Sequence, residues 1–259
     1  GAGNMAGSMV DGILRAGTPA NSLACLGGGG VTASALAARS GIRLATGAAD
    51  LCRGAGVLVV AFKPKHLPAA APAFAEASAG MLVVSILAGR TLASLATAFP
   101  KARAIVRAMP NTPGRIGAGI SAWCADRPLN TDDRAGVDRI LGALGEVHEV
   151  PEALMDAVTA VGGSGPGFVF EFTAALRDAA IEVGFPAGLA DAFARSVVAG
   201  SGRLLEGGAD PDALRDQVTS PAGTTAAGLE VLRKAAFREV IRNAVLAATR
   251  RGGELARDS

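Results

Sequence analysis

Gly1-Ala2-Gly3-Asn4-Met5-Ala6 places two glycines and an alanine at G-x-G-x-x-A spacing, directly ahead of a run with helical periodicity. The chemistry this spacing offers is anion binding. The first amides of a helix have no intrahelical acceptor and carry partial positive charge, so a diphosphate is stabilised there. Gly1 and Gly3 let the backbone turn and approach phosphate oxygens, with Asn4 and Met5 in the turn and Ala6 permitting close helix–strand packing. The match alone is weak in a chain with 35 glycines, where a helix behind a flexible tail is the competing explanation. The second strand of such a unit normally ends on a carboxylate that binds the adenosine ribose of NAD. Here it ends Cys25-Leu26-Gly27. A 2′-phosphate is not repelled by that turn, and Thr32 and Ser34 offer it hydroxyl donors, so the balance leans to NADPH over NADH.

Other segments carry polar groups of equal interest. In "VTSPAGTTAAGLEVL" (218–232), Pro221 suits the first turn of a helix, where its missing N–H costs nothing. Gly223, Thr224 and Thr225 then present amides and hydroxyls at a helix N-terminus, a fit for a carboxylate, with plain helix capping as the alternative. Ser164-Gly165-Pro166 opens another helix, and its small residues allow close approach of a ring or simply make a tight interdomain turn. "MPNTP" (109–113) follows a strand, so Met109 and Asn111 should line a cleft at the strands' carboxyl ends. Phe62, Lys63 and Pro64 end another strand at the same edge and should border a nicotinamide through their backbone, whereas a lysine after a strand is usually solvated. His66 and His148 lie outside these motifs and read as surface or core, and with no tyrosine a tyrosine–lysine acid pair is excluded.

Positioning these residues requires alternating elements. Helical patterns at 5–16, 31–40, 67–78, 91–99 and 131–144 interleave with apolar runs at 22–26, 56–62, 81–87, 103–109, 117–124 and 145–150. That rhythm predicts a Rossmann-type, doubly wound α/β sheet, mostly parallel, with helices on both faces. After 150 only helical periods remain: Phe168 to Val183, Leu189 to Leu204, and Leu229 to Ala248. The expected division is 1–150 for dinucleotide binding and 151–259 for an all-helical domain. A strand normally precedes the glycine loop and is central in the sheet, so the expectation is that the first strand is missing ahead of Gly1, leaving unpaired backbone groups beside its place.

Composition agrees with a globular chain of 259 residues, 50% hydrophobic and 19% charged. A net charge of +2 with both signs interspersed gives no basic stripe for nucleic acid, and no apolar run is long enough for a membrane helix. Cys25, Cys52 and Cys124 are odd in number and widely spaced, which points to buried thiols in a reducing cytoplasm, without a disulfide framework or a metal site.

"GAGNMA", "AFKP", "VRAMPNTPGRIGAG" (106–119), "DAVTAVGGSGPGFVFEF" (156–172) and "VTSPAGTTAAGLEVL", in this order and across nearly the whole chain, resemble pyrroline-5-carboxylate reductase. The resemblance implies hydride transfer from NADPH or NADH to the ring imine of 1-pyrroline-5-carboxylate, giving L-proline. It implies a helical domain that intertwines in a homodimer, with decamers in some members, and no nucleic-acid or membrane partner. By similarity, Thr225 is the active-site threonine that hydrogen-bonds the ring nitrogen. Ser220, Gly223 and Thr224 help hold the substrate carboxylate, with Ser164, Gly165 and Pro166 against the ring. The family's usual Ser-Gly-Ser-Gly-Pro-Ala-Tyr is here Gly162 to Phe168, with Gly162, Gly167 and Phe168 as departures, and its Ser-Pro-Gly-Gly-Thr-Thr carries Ala222. These departures keep two alternatives open: a related cyclic-imine reductase with another substrate, and a weakly active nucleotide-binding structural paralogue.

Overall fold

The computed structural model describes residues 1–257. Helix α1 (Asn4–Arg15) follows the glycine loop at once, with Met9 and Ile13 buried on one face. Strand β1 (Ala24–Cys25), α2 (Val31–Ser40), β2 (Arg43–Leu44) and α3 (Ala48–Cys52) come next. β1 and β2 pair in parallel, Ala24 beside Arg43 and Cys25 beside Leu44. Neither β2 nor α3 is foreseen from the sequence, because two residues of strand and five of helix are too short to show a period.

Strand β3 (Val57–Val60), α4 (Leu67–Ala75), β4 (Leu82–Ser85), α5 (Leu92–Ala98) and β5 (Ala104–Met109) continue the alternation. The three strands lie side by side and parallel. Every β4 residue is buried, as a central strand covered on both faces requires. Strand β6 (Gly119–Ala125) instead runs antiparallel to β5, Val106 opposite Ala125 and Met109 opposite Ala122. The connection 110–118 is too short for a parallel crossover. Helix α6 (Thr131–Gly142) then leads to β7 (Gly145–Glu149), parallel to β6.

Period-two alternation distributes the sheet's side chains between two cores. Leu58, Val60, Val83, Ile105 and Cys124 pack with Leu67 of α4, Leu92 and Leu95 of α5, and Phe99. Leu82, Val84, Val106 and Trp123 pack with Met9 and Ile13 of α1 and with Val137, Ile140 and Leu141 of α6. Each large apolar side chain so buried contributes about 1.5–3 kcal/mol. A smaller cluster of Cys25, Ala33, Leu36 and Ile42 seats β1 on α2.

β1 and β2 form a sheet separate from the five strands β3 to β7. A cavity of about 530 Å³ separates β1 from β3, lined by Ala24 and Cys25 on one side, Val57 and Val59 on the other, and Met9 and Ile13 of α1.

Beyond β7, helix α7 (Met155–Val158) runs through one π turn (Thr159–Gly163) into α8 (Gly165–Glu182), and α9 (Ala187–Leu205), α10 (Pro211–Gln217), α11 (Thr224–Lys234) and α12 (Phe237–Arg257) follow. Two compact units result: residues 1–164 together with the chain from Ala247 onward, and Gly165–Leu246. Arg107, buried in β5, holds Glu152 and Asp156 by ion pairs of 3.2 Å each, tying the segment after β7 to the sheet. The helix expected across 229–248 is two helices, broken where Ala236 adopts φ +52°. Within Gly165–Leu246 only Ala190 and Ala194 are buried, while Phe170 (64% exposed) and Val183 (78%) stand in the open. A helical unit with so small a core and so much exposed apolar surface is built to be covered by another surface.

Candidate active site

The glycine loop ends at Gly3, the N-cap of α1, where no side chain caps the helix and no acidic residue stands in the first turn. The first helical bond runs from the Gly7 N–H to the Gly3 carbonyl, 2.9 Å, which leaves the amides of Asn4, Met5 and Ala6 without intrahelical acceptors. A cavity of about 420 Å³ opens here between α1 and α2, lined by Gly3, Asn4, Ser8, Thr32 and Arg115. Open helix amides, room for phosphates and a nearby cation fit a nicotinamide dinucleotide. Thr32 faces this cavity, whereas the Ser34 hydroxyl donates back to the Val31 carbonyl at 2.9 Å. Met5 packs against the sheet core, so what it offers a phosphate is its backbone.

The loop is continuous with the carboxyl edge of the sheet. A Cβ on Gly1 would sit 2.5 Å from the Ala61 carbonyl oxygen, so the loop lies directly on the exit of β3. Phe62 turns into the core beside α4 and α5, Lys63 is exposed, and the Pro64 carbonyl accepts a 3.0 Å hydrogen bond from Nη2 of Arg90. Arg90 is only 7% exposed and pins this loop, a role sequence reasoning missed. Its one sequence signal is an arginine placed just after a wholly apolar strand. Asn111 is also buried. Its Oδ1 accepts from the Ile120 N–H at 3.0 Å, tying the loop after β5 to β6, while Nδ2 has no partner among the described residues. The π turn rests on the same edge, since a Cβ on Gly163 would meet Cε of Met109 at 2.8 Å.

Ser164 closes that π turn, its N–H bonding the Thr159 carbonyl at 3.0 Å and its hydroxyl at 3.4 Å. Pro166 has no N–H to continue the ordinary helical ladder, which suits a widened turn just before it. Arg107 supports the segment from below. Glu152 accepts both from Arg107 (3.2 Å) and from the Leu92 amide (2.7 Å) that begins α5. The signal for Arg107 was an arginine amid the apolar residues of the strand "AIVRAM".

In the helical unit, α11 starts at Thr224, three residues later than Pro221 suggests. Pro221 is instead the second residue of a turn closed by the Gly223 N–H on the Ser220 carbonyl, 3.0 Å. Ala222 follows at φ +57°, the conformation a type II turn reserves for glycine. Gly223 caps α11 without a side-chain hydrogen bond, and no acidic residue follows. The hydroxyls of Thr224 and Thr225 have no partner among the described residues, so three amides and two hydroxyls gather at this helix end beside Ser220.

His66 and His148 are exposed, His148 beside Glu146 at 3.4 Å. The three cysteines are buried and unpaired. Burial, with Glu152 next in weight, pushes the Cys124 thiol up to about 11, so it is no nucleophile near neutral pH.

A Rossmann-type sheet with an open glycine-loop helix defines the chain as a nicotinamide-dependent oxidoreductase. Residues 1–89 match the family profile described as NADP oxidoreductase, coenzyme F420-dependent, and residues 152–255 match pyrroline-5-carboxylate reductase dimerisation. The chain is 44% identical to a pyrroline-5-carboxylate reductase from Synechocystis over 77% of its length and 74% of that protein's. Among solved structures it is similar to a pyrroline-5-carboxylate reductase from Coxiella burnetii, with a TM-score of 0.92 and 29% identity over 99% of this chain and 96% of that one. A pyrroline carboxylate reductase from Plasmodium falciparum, solved with NADP bound, gives a TM-score of 0.85 and 27% identity over 99% and 96%. The chain belongs to the pyrroline-5-carboxylate reductase family. It is an oxidoreductase that uses NAD(P)H and self-associates through its helical part. Among the described residues no helix is long and apolar enough to cross a membrane.

Proposed function

We propose that this protein reduces 1-pyrroline-5-carboxylate to L-proline, the last step of proline biosynthesis, in the cytoplasm. The observation that carries the proposal is the N-terminus of α11: open amides, the free hydroxyls of Thr224 and Thr225, and no competing carboxylate in the first turn. That array suits the substrate's carboxylate, held by Ser220, Gly223 and Thr224, with the Thr225 hydroxyl at the ring nitrogen. Ser164, Gly165 and Pro166 provide small surfaces for the ring. The reduced nicotinamide, when bound, supplies the hydride.

Little acid–base machinery is needed from the chain. The imine nitrogen can take its proton from water, so the residues at the start of α11 need only orient the iminium carbon towards the hydride that a bound nicotinamide would supply. The protein's share is orientation and a dry site, a task that suits hydroxyls, amides and small residues. Gly1, Gly3, Asn4 and Met5 hold the dinucleotide, Phe62 to Pro64 with Met109 and Asn111 border the nicotinamide, and Thr32 together with the carboxylate-free turn at Cys25–Gly27 favours NADPH. The exposed apolar helices of Gly165–Leu246 pair two chains, and such dimers assemble further to a decamer.

Oxidation of NADPH and NADH by the purified protein with 1-pyrroline-5-carboxylate tests the reading. Thr225→Ala should cut kcat/KM by about 100-fold, the scale of a lost hydrogen bond at a reacting atom, with cofactor affinity unchanged. Thr225→Ser should keep most of the activity. No turnover of this substrate by the intact protein would refute the proposal. Turnover of a different cyclic imine would move the substrate, and none at all with tight cofactor binding would leave the structural paralogue. Light scattering reads the oligomer, and a stable monomer would overturn the pairing.

A further inference from the structure

The cavity at the start of α1 holds a charge arrangement that its glycine loop does not explain. Asp11 and Arg39 face each other across it, joined by two hydrogen bonds of 2.8 and 3.0 Å from one guanidinium nitrogen. Gly7 makes this bridge possible, because a Cβ there would stand 3.0 Å from Nη2 of Arg39. Asp11 is therefore neutralised by a neighbour on α2, and the pair contributes no net charge. Arg115 lines the same cavity from the turn after β5. It is exposed and makes no ion pair or hydrogen bond among the described residues. Arg115 is thus the unbalanced charge of a cavity that Gly3 and Asn4 also line, at the open end of α1.

We propose that Arg115 is a binding residue for the diphosphate of the dinucleotide, sharing its charge with the open amides of the glycine loop. A guanidinium fits two phosphate oxygens at once with its planar fork, which an ammonium cannot do. The position favours the diphosphate over the 2′-phosphate. The turn that carries Arg115 packs on α1, the helix whose open end would hold the diphosphate, whereas Thr32, the candidate for the 2′-phosphate, lines the same cavity from α2. The inference rests on cofactor use and not on the identity of the imine substrate.

Calorimetric titration of the whole protein separates the possibilities without reading activity. Four ligands are compared: NADPH, NADH, ADP-ribose, which keeps the diphosphate alone, and 2′,5′-ADP, which keeps the 2′-phosphate without a diphosphate. Arg115→Ala should raise Kd by about tenfold for NADPH, NADH and ADP-ribose alike, and by no more than about threefold for 2′,5′-ADP, whose 5′-phosphate keeps only half of the diphosphate. Arg115→Lys should recover part of the loss, because the charge returns without the fork. Arg115 is exposed, so the variants should keep the parent's melting temperature. Unchanged Kd for all four ligands would overturn the proposal, as would losses confined to NADPH and 2′,5′-ADP. If the parent protein itself bound none of the four, the cofactor assignment would fail as a whole.

Discussion

Ala222 should be improved by replacement with glycine. It is the third residue of the turn Ser220 to Gly223 and adopts φ +57°, where a Cβ crowds the following carbonyl. The left-handed conformation costs a non-glycine residue about 1–2 kcal/mol. Glycine removes that cost but gives back about 0.4–1 kcal/mol through the greater freedom of the unfolded chain. The expected net gain for Ala222→Gly is about 0.5–1 kcal/mol. With an unfolding entropy near 2.1 cal/mol/K per residue, a chain of this length should melt about 1–2 °C higher. Ala236, at φ +52° between α11 and α12, serves as an internal comparison away from the turn. Ala236→Gly should raise the melting temperature by a similar amount, and Ala222→Val should lower it. Scanning calorimetry at one fixed protein concentration is the assay, because an oligomer's melting point depends on concentration. If Ala236→Gly stabilised while Ala222→Gly destabilised, the strain argument at Ala222 would be wrong, and its methyl would be making a contact worth more than the turn costs.

Two further outcomes concern the sheet unit. The Arg103 guanidinium, hydrogen-bonded to the buried Asp133 at 3.1 Å through Nε, holds that carboxyl below the usual carboxylate range. A depressed carboxylate stabilises the fold above its unfolded pKa and loses that contribution as pH falls. Asp133→Asn should therefore cost about 1–3 kcal/mol at pH 7 by chemical denaturation, and the difference from the parent should shrink towards pH 3; equal loss at both pH values would refute it. The Cys124 thiol is displaced the other way, from 9.0 to about 11. A raised thiol pKa leaves its stabilising share intact below pH 9 and removes it as pH climbs towards 11. The melting temperature of the parent should thus fall more steeply over that window than that of Cys124→Ala, and parallel slopes would count against it. The same burial should keep all three thiols unreactive to a chromogenic disulfide reagent until the chain unfolds.

Much of the architecture was legible along the chain. Fully apolar runs such as "MLVVSIL" are strands because only a doubly covered sheet buries them on both faces, and β4 is that strand. The G-x-G-x-x-A spacing was enough to place an uncapped helix start at Asn4, since a helix end is made by local backbone alone. Thr224 and Thr225 were likewise legible as a helix start, although the start is later than the proline suggested. Local rules also reach the helical unit: its apolar residues recur at helical spacing, so the helices are fixed by sequence.

Other features required residues far apart to meet. Arg107 looks out of place within "RAIVRAM", and only packing shows that Glu152 and Asp156 balance its charge. Arg90 and Pro64, 26 residues apart, are joined by a hydrogen bond that no periodicity encodes. The antiparallel turn of β6 follows from the length of one connection combined with the edge left open on β5. Backbone strain at Ala222 and Ala236 is invisible in letters, because alanine is the best of helix formers and gives no warning of a left-handed conformation. Sequence alone determined the longer helices and strands and which helix ends lack a capping carboxylate, because those depend on neighbours within a few residues. The tertiary structure alone decided which buried charges pair and which arginine of the α1 cavity lacks an ionic partner, because each depends on the Coulombic and steric company of residues distant in the chain.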